Sequence, residues 1–457
     1  MNERKIATGG LVSLALLNAF SADATPRKTA HKDKRPNFII IVADDMGYGD
    51  ISCFGNGRIS TPNLDRMAQE GMLLTDFHSN GTVSSPTRCA MLTGRYQQRA
   101  GIDGVLLTNV EKLRKAGLQP HETTFADVLS QNGYDVTMFG KWHLGYLPQY
   151  GPLNHGFGHF EGFLAGNVDY KAFLDSQGRP DWYEGKVQKT PEGYLTDLIN
   201  DKGREFIASE HDKPFCLYLA HGCPHSPYQG PDDDAYRTVG SNRQNDKPHK
   251  SVDETYKDMI ETMDAGIGRI FETLKETGLD KNTFVIFFSD NGPCGPGTTG
   301  GLRGGKGDVF EGGHRVPAIM RMPGKIKAGS ISSETLICMD IFPTMLDMAG
   351  IIYDDSGKPL DGVRFLPVLE GKKLAERPLF WKYHAKKAVR LGDYKYVETV
   401  SGKGENRKTN RMLFNLREDV NEQNNIIEDN PQKAAKMKKM LQEWVKDVTS
   451  DTPEQTM

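Results

Sequence analysis

Ser84-Ser85-Pro86-Thr87-Arg88 sets a hydroxyl, a proline and a guanidinium within one short stretch, and Gly94 follows Leu92-Thr93 as a natural helix stop. Pro86 has its φ preset for a first helical turn, and Ser84 and Ser85 are good cap residues, so the spacing predicts a helix with Ser84 at its N-terminus. That end carries free N–H groups and partial positive charge, which favours an anion or a developing oxyanion beside the hydroxyl. Arg88, four residues on, falls on the same face and adds a fixed cation. Ser-x-Pro alone is an ordinary capped helix; the whole string is rarer. Elsewhere, Asp44-Asp45 and Asp290-Asn291 offer carboxylates that repel one another unless a cation sits among them. Four hard oxygen donors favour Ca²⁺, with Mg²⁺ second, and disfavour zinc. Lys141 and His143 would project two protonatable groups to one side of an extended segment, and His225 and Lys306 stand in Pro- and Gly-rich surroundings.

These groups follow apolar runs. Phe38 to Ala43 is continuous and β-rich, the pattern of a strand buried on both faces of a parallel sheet, and it ends in Asp44-Asp45. Asp135 to Phe139 delivers Lys141 and His143, Phe215 to Ala220 leads to His225, and Thr283 to Phe288 ends at Asp290-Asn291. Helical spacing lies between them at Thr61 to Gly71, Thr124 to Gln131 and Tyr194 to Ile207, and in a long amphipathic run from Tyr256 to Leu274 closed by Gly278. The alternation predicts an α/β domain with a mainly parallel central sheet flanked by helices, its ligand-type residues at the strand C-termini where such sheets place their sites. Residues 146–192 are rich in glycine, proline and aromatics without periodicity, and are expected to be loops around a pocket; 230–253 is expected to be a surface loop. After about residue 355, short strand candidates at Leu379 to Tyr383, Ala388 to Leu391, Tyr394 to Val397 and Arg411 to Asn415 precede a helix at Lys433 to Val448. The expected organisation is a catalytic domain over 37–355 and a smaller C-terminal α+β subdomain over 356–457, with an antiparallel sheet and a terminal helix.

Ser84-x-Pro86-x-Arg88 with Leu92-Thr93-Gly94-Arg95 resembles the signature of the type I, formylglycine-dependent sulfatases of the alkaline phosphatase superfamily. Gly140-Lys141-Trp142-His143-Leu144-Gly145 matches that family's GKWHLG element and Pro224-His225-x-Pro227 its histidine element. Gly305-Lys306 with Glu311-Gly312-Gly313-His314-Arg315-Val316-Pro317 matches its lysine and GGxRVP element. Asp340-Ile341-Phe342-Pro343-Thr344, Val389-Arg390-x-Gly392-Asp393-x-Lys395 and Leu413-Phe414-Asn415-Leu416 carry the likeness into the C-terminal part. The resemblance implies a modified nucleophile, residue 84 oxidised to formylglycine and hydrated to a geminal diol. Serine at this position looks like the serine-type bacterial carbohydrate sulfatases, or like a cysteine-type enzyme in which that residue was replaced. Ca²⁺ is the implied metal, held by Asp44, Asp45, Asp290, Asn291 and residue 84. The implied catalytic residues are Ser84, Arg88, Lys141, His143, His225 and Lys306. One hydroxyl of residue 84 would attack sulfur, His225 with Lys306 would protonate the leaving alcohol, and His143 would take a proton from the second hydroxyl. Arg88 and Lys141 would hold the modified residue. A sulfatase-maturing enzyme is the implied protein partner. His221 and His314 lie beside these motifs and are read as structural or peripheral.

With 457 residues, 37% of them hydrophobic, the chain can bury one large domain and a smaller one. Its 57 basic and 60 acidic residues nearly balance, so no global field points to nucleic acid or an anionic membrane, and a sulfated ligand would be attracted locally. Met1 to Ala24 runs from a charged start through an apolar stretch to Ala22-Asp23-Ala24, which reads as a secretory signal peptide, with 25–36 as a flexible lead-in. No later run is long enough to span a bilayer, so the expectation is an exported protein, periplasmic or secreted. The six cysteines do not form a disulfide framework in a chain this long, Cys89 is expected in the core, and no compact Cys/His cluster suggests structural zinc. The expected substrate is a sulfated sugar of a glycan. Two alternatives remain: a phosphoester or phosphonate hydrolase of the same superfamily, and a catalytically silent binder of sulfated glycans in which Ser84 is never converted. The intact set of Asp44, Asp45, Asp290, Lys141, His225 and Lys306 argues against the silent binder.

Overall fold

The computed structural model describes residues 34–450 apart from 56, 243–246, 355–356 and 403–405. The expected signal peptide, the lead-in up to residue 33 and the expected boundary at 355–356 lie outside the described residues. Chain packing is already present at the start of the described part: the Arg35 guanidinium lies over the Tyr134 ring, and the Tyr134 hydroxyl donates to the Pro36 carbonyl.

Phe38-Ile39-Ile40-Ile41-Val42 are all buried because this strand, Asn37–Ala43, is the middle of a ten-stranded sheet. It pairs in parallel with Phe215–Ala220 on one side and Thr283–Ser289 on the other. Asp135–Lys141 and His159–Phe163 continue the parallel set, while Ala318–Arg321 runs antiparallel to Thr283–Ser289 and carries Met72–Leu74 beyond it. The sheet is thus mixed and mainly parallel, as expected for strands that read as unbroken apolar runs. Alternation along the central strand divides the core. Phe38, Ile40 and Val42 face Cys89, Leu92, Phe342 and Met345, whereas Ile39, Ile41 and Ala43 face Ile199, Tyr256, Met259, Met263 and Ile267. Helices therefore cover both faces.

The long amphipathic run forms helix Val252–Glu276, opened by a capping box between Ser251 and Glu254. Thr124 and Asp127 make the same motif at Phe125–Gln131. The sequence reading passed over His159–Phe163, which sits inside the stretch expected to be loops. Its Gly162 pairs with Gly140, and a Cβ there would lie 2.0 Å from the Gly140 carbonyl oxygen. The close approach that makes glycine necessary also hid the strand, since Gly weakens a β pattern.

Pro378–Tyr383, Lys386–Leu391, Tyr394–Ser401 and Lys408–Asn415 form a separate four-stranded antiparallel sheet, against which helix Pro431–Thr449 packs through Met437, Leu441 and Trp444. All six cysteines are free, and Cys89 lies in the core as expected. Among the described residues no helix is long and apolar enough to cross a membrane.

Candidate active site

Four neighbouring strands end at one edge of the sheet, and their exits bring the expected residues together. Asp44 and Asp45 follow Asn37–Ala43, Lys141 closes Asp135–Lys141, His225 comes after Phe215–Ala220, and Asp290-Asn291 follow Thr283–Ser289. Ser84 arrives from the helix Ser84–Thr93. One detail differs from the sequence reading: the cap is Val83, in extended conformation, and Ser84 is the first helical residue. Its hydroxyl is therefore not spent on the helix and points instead to Asp44 Oδ1, 3.1 Å away, with Asn291 Oδ1 at 3.5 Å.

Lys141 Nζ donates to Ser84 Oγ at 3.2 Å and to Asp44 Oδ2 at 2.5 Å. Burial pushes Asp44 up to about 7 against the pull of Lys141, and pushes Lys141 down. Arg88, fully buried, grips Asp290 Oδ2 through Nε and Nη2 at 3.0 and 2.8 Å and reaches the Lys141 carbonyl and the Tyr218 hydroxyl through Nη1. Lys306 Nζ donates to Asp45 Oδ2 at 2.7 Å, and His225 Nε2 lies 3.5 Å from the same oxygen. Lys306 is shifted upward by its carboxylate neighbours against the effect of burial. His225 is held down to about 3 by burial and by Lys306. His143 Nε2 bonds the Leu106 carbonyl at 2.9 Å, which fixes the proton on Nε2 and leaves the buried Nδ1 with no partner. Asp45 and His143 both sit in the left-handed backbone region, with φ of 66° and 56°, a strain that packing sustains at sites of this kind.

Asp44, Asp45, Asp290 and Asn291 present oxygen donors around Ser84, and the three carboxylates are buried together. Asn291 Nδ2 donates to Asp45 Oδ1 at 2.7 Å, so its own Oδ1 is the atom turned toward Ser84. An oxygen-only set with crowded carboxylates, one of them pushed toward neutrality, fits a hard divalent cation such as Ca²⁺ or Mg²⁺ and fits zinc poorly.

Above this floor opens a cleft of about 330 Å³, lined by Ser84, His143, His225 and Lys306 together with Thr108, Asn109, Tyr146, Asn167 and Ser176. Sequence reasoning missed its walls. Leu106 offers one carbonyl to both His143 and Tyr146, and Gly166 leaves room for the His143 ring. None of these carries a local spacing signal, although the aperiodic stretch that holds Tyr146, Asn167 and Ser176 was expected to border a pocket. His221 is fully buried with both ring nitrogens unpartnered and is held neutral at about 3 by burial. His314 belongs to a separate buried cluster described below.

Comparison with known proteins agrees with this arrangement. The family profile described as Sulfatase matches residues 36–351, and the profile for the C-terminal part of N-sulphoglucosamine sulphohydrolase matches 305–451. Mouse N-acetylgalactosamine-6-sulfatase is 35% identical over 390 residues, covering 79% of this chain and 71% of that protein. Rat arylsulfatase G is 31% identical over 516 residues, covering 99% and 94%. The crystal structure of Ps i-CgsB in complex with k-i-k-neocarrahexaose superposes with a TM-score of 0.81 at 28% identity, covering 93% of this chain and 95% of that one. On the evidence of its strand-end site and of these likenesses along its length, the chain belongs to the sulfatase family, enzymes that hydrolyse sulfuric esters.

Proposed function

We propose that the protein releases sulfate from an O-sulfated sugar of a glycan, R–O–SO₃⁻ and water giving R–OH and sulfate, at a Ser84 converted to formylglycine. The observation that carries this reading is the seat of Ser84 Oγ, 3.1 Å from Asp44 Oδ1 and 3.2 Å from Lys141 Nζ at the floor of a cleft walled by His143, His225 and Lys306. The aldehyde made from Ser84 takes up water to a geminal diol: one hydroxyl attacks sulfur as the alcohol leaves, and loss of the proton from the second re-forms the aldehyde and expels sulfate. Ca²⁺ would be held by Asp44, Asp45, Asp290, Asn291 and residue 84, and when bound would supply a Lewis acid that offsets charge on the sulfuryl group.

The chain's own residues do the rest. Lys141 holds the nucleophilic oxygen through its ammonium, and Arg88 fixes both Asp290 and the Lys141 backbone, so the floor is rigid before substrate arrives. Lys306 and His225 converge on Asp45 Oδ2 at the cleft wall, and in this reading the leaving oxygen sits beside them. Lys306 keeps its proton, and an anionic sulfate ester seated beside the pair raises His225 toward protonation, which equips it as the general acid. His143, neutral with Nδ1 open, is set to accept a proton. The neutral polar walls from Thr108, Asn109, Asn167 and Ser176 suit sugar hydroxyls. The naming of one relative for N-acetylgalactosamine 6-sulfate, and the oligosaccharide in the complex of a structural neighbour, support a sugar ester.

The test is the mass of the peptide carrying residue 84, from protein made in a host that matures sulfatases, with sulfate and phosphate release from sugar sulfates and phosphate esters. A loss of two hydrogens at Ser84 with sulfate release supports the reading. Unmodified serine in an active enzyme, or release of phosphate only, overturns it.

A further inference from the structure

Behind the loop that carries Lys306 lies a buried charge cluster that touches neither the nucleophile nor the cleft. Glu311 opens the short helix Glu311–His314, five residues after Lys306. Lys395, on strand Tyr394–Ser401 of the C-terminal sheet, donates to Glu311 Oε1 and to His314 Nε2, both at 2.9 Å, and lies 3.0 Å from Glu422 Oε1. Glu422 Oε2 accepts the Glu311 backbone N–H at 2.6 Å, and its carbonyl accepts from Arg303 Nη1 at 2.7 Å. Lys395, Glu311, His314 and Glu422 are all fully buried.

The cluster has the outline of a metal site, because His78, Glu311 and His314 bring ligand atoms within 4.8 Å of one another. Its lone pairs are already used. Lys395 donates to His314 Nε2, His314 Nδ1 meets His78 Nδ1 at 3.0 Å, and His78 Nε2 meets Asp76 Oδ1 at 2.9 Å. One tautomer set, with His314 protonated on Nδ1 and His78 on Nε2, satisfies these three links and leaves no nitrogen for a cation, at the expense of the longer approaches of His314 Nε2 to the Val309 carbonyl and of Arg390 Nη1 to His78 Nε2, 3.3 and 3.2 Å. The cluster is an internal brace.

What it braces is the Lys306 loop. That loop has backbone ties to the catalytic floor at Lys306 N to Pro293 O, 3.0 Å, and at Gly307 N to Thr82 O, 2.8 Å. Toward the C-terminal sheet it is tied by Lys386, which donates to the Gly307 carbonyl at 2.9 Å and pairs with Asp308, and by the Lys395–Glu311–Glu422 knot. We propose that Lys395 and Glu422 are positioning residues for Lys306, through which the C-terminal sheet sets the group beside the leaving oxygen. The inference rests on the reading of Lys306 given above.

The test is kcat/KM on a sugar sulfate, whose leaving group is poor, and on 4-nitrophenyl sulfate, whose leaving group needs little protonation, with Lys306→Ala as the reference. Lys395→Met is expected to cost about tenfold on the sugar sulfate, much less on the aryl ester, and nothing further in the Lys306→Ala background. Should Lys395→Met fail to fold, because it leaves Glu311 and Glu422 without their cation, Glu422→Ala decides. That variant keeps the Lys395–Glu311 pair, is expected to show the same selective loss, and Glu422→Gln, which keeps an acceptor for the Glu311 N–H, should restore activity. An equal loss on both substrates, or losses additive with Lys306→Ala, overturns the positioning role while leaving Lys306 in place. An equal loss on both substrates in Lys306→Ala itself overturns the reading of Lys306 and the positioning role with it.

Discussion

Gly166→Ala is the substitution whose effect can be worked most directly from the geometry. The backbone at Gly166 is not in the left-handed region, so alanine meets no conformational penalty there. A Cβ would nevertheless lie 2.7 Å from His143 Nε2 and 2.8 Å from Cε1. To regain an ordinary 3.4 Å contact the imidazole must retreat by about 0.7 Å, and its 2.9 Å bond to the Leu106 carbonyl stretches or breaks. Stability should fall by only about 1 kcal/mol, the net value of one such hydrogen bond. Turnover should fall much further, because displacement of a catalytic group by nearly an ångström costs up to about a hundredfold, or about 2.7 kcal/mol of barrier. The assay is kcat for sulfate release beside the thermal midpoint, for Gly166→Ala, His143→Ala and the double variant. The double variant should match His143→Ala in kcat, since the methyl group acts only through the ring. Unchanged turnover in Gly166→Ala, or a loss that persists in full on top of His143→Ala, would refute the assignment of His143 as the proton acceptor.

Ser84→Ala should abolish sulfate release and leave the thermal midpoint nearly unchanged, measured side by side; retained turnover removes Ser84 from the nucleophile role. Stripping divalent cations with a chelator should suppress activity and lower the midpoint, with Ca²⁺ restoring both, because the crowded Asp44, Asp45 and Asp290 lose their counter-charge; an indifferent protein refutes the metal assignment. His225→Ala should harm sugar sulfates more than an aryl sulfate, and an equal loss on both would remove it as the general acid. Burial and Glu311 push Glu422 up to about 7 despite Lys395, so its bound proton stabilises the native state below the ordinary carboxylate range, and that stabilisation drains away as pH rises through about 7. Wild-type protein should therefore match Glu422→Gln in thermal midpoint near pH 5 and fall below it by pH 8; parallel profiles would refute the buried proton.

Parallel strands buried on both faces are among the most legible elements in a sequence, which is why Phe38 to Ala43, Phe215 to Ala220 and Thr283 to Phe288 could be read without a structure, together with the polar residues at their ends. The antiparallel C-terminal sheet was readable for a related reason, its β-rich runs being cut by turn residues such as Gly392-Asp393. Short strands such as Met72–Leu74 and Ala318–Arg321 carry too few residues for a period to emerge and acquire their form from neighbours distant in sequence. The same holds for the cleft. Leu106, Gly166 and Tyr146 matter through a carbonyl, a missing methyl group and a hydroxyl aimed across the fold, and none of these is a property of local spacing. The Lys395 brace was legible only as residue types in a motif; its purpose depends on contacts that span 84 positions from Glu311.

The place of Asn37–Ala43 at the centre of the large sheet has a consequence for how the molecule comes into being. Its partner Thr283–Ser289 stands roughly 240 residues further along the chain. This strand, the earliest among the described residues, can pair on one side once Phe215–Ala220 is made, but its other edge stays open until Thr283–Ser289, well past half of the 457 residues, exists. Such long-range pairing slows folding and leaves sticky edges exposed in the interim. A protein built this way should depend on protection of its nascent N-terminal segment, and catalytic competence, which needs Asp44 beside Asp290, should appear only when the last of the parallel strands has closed on the first.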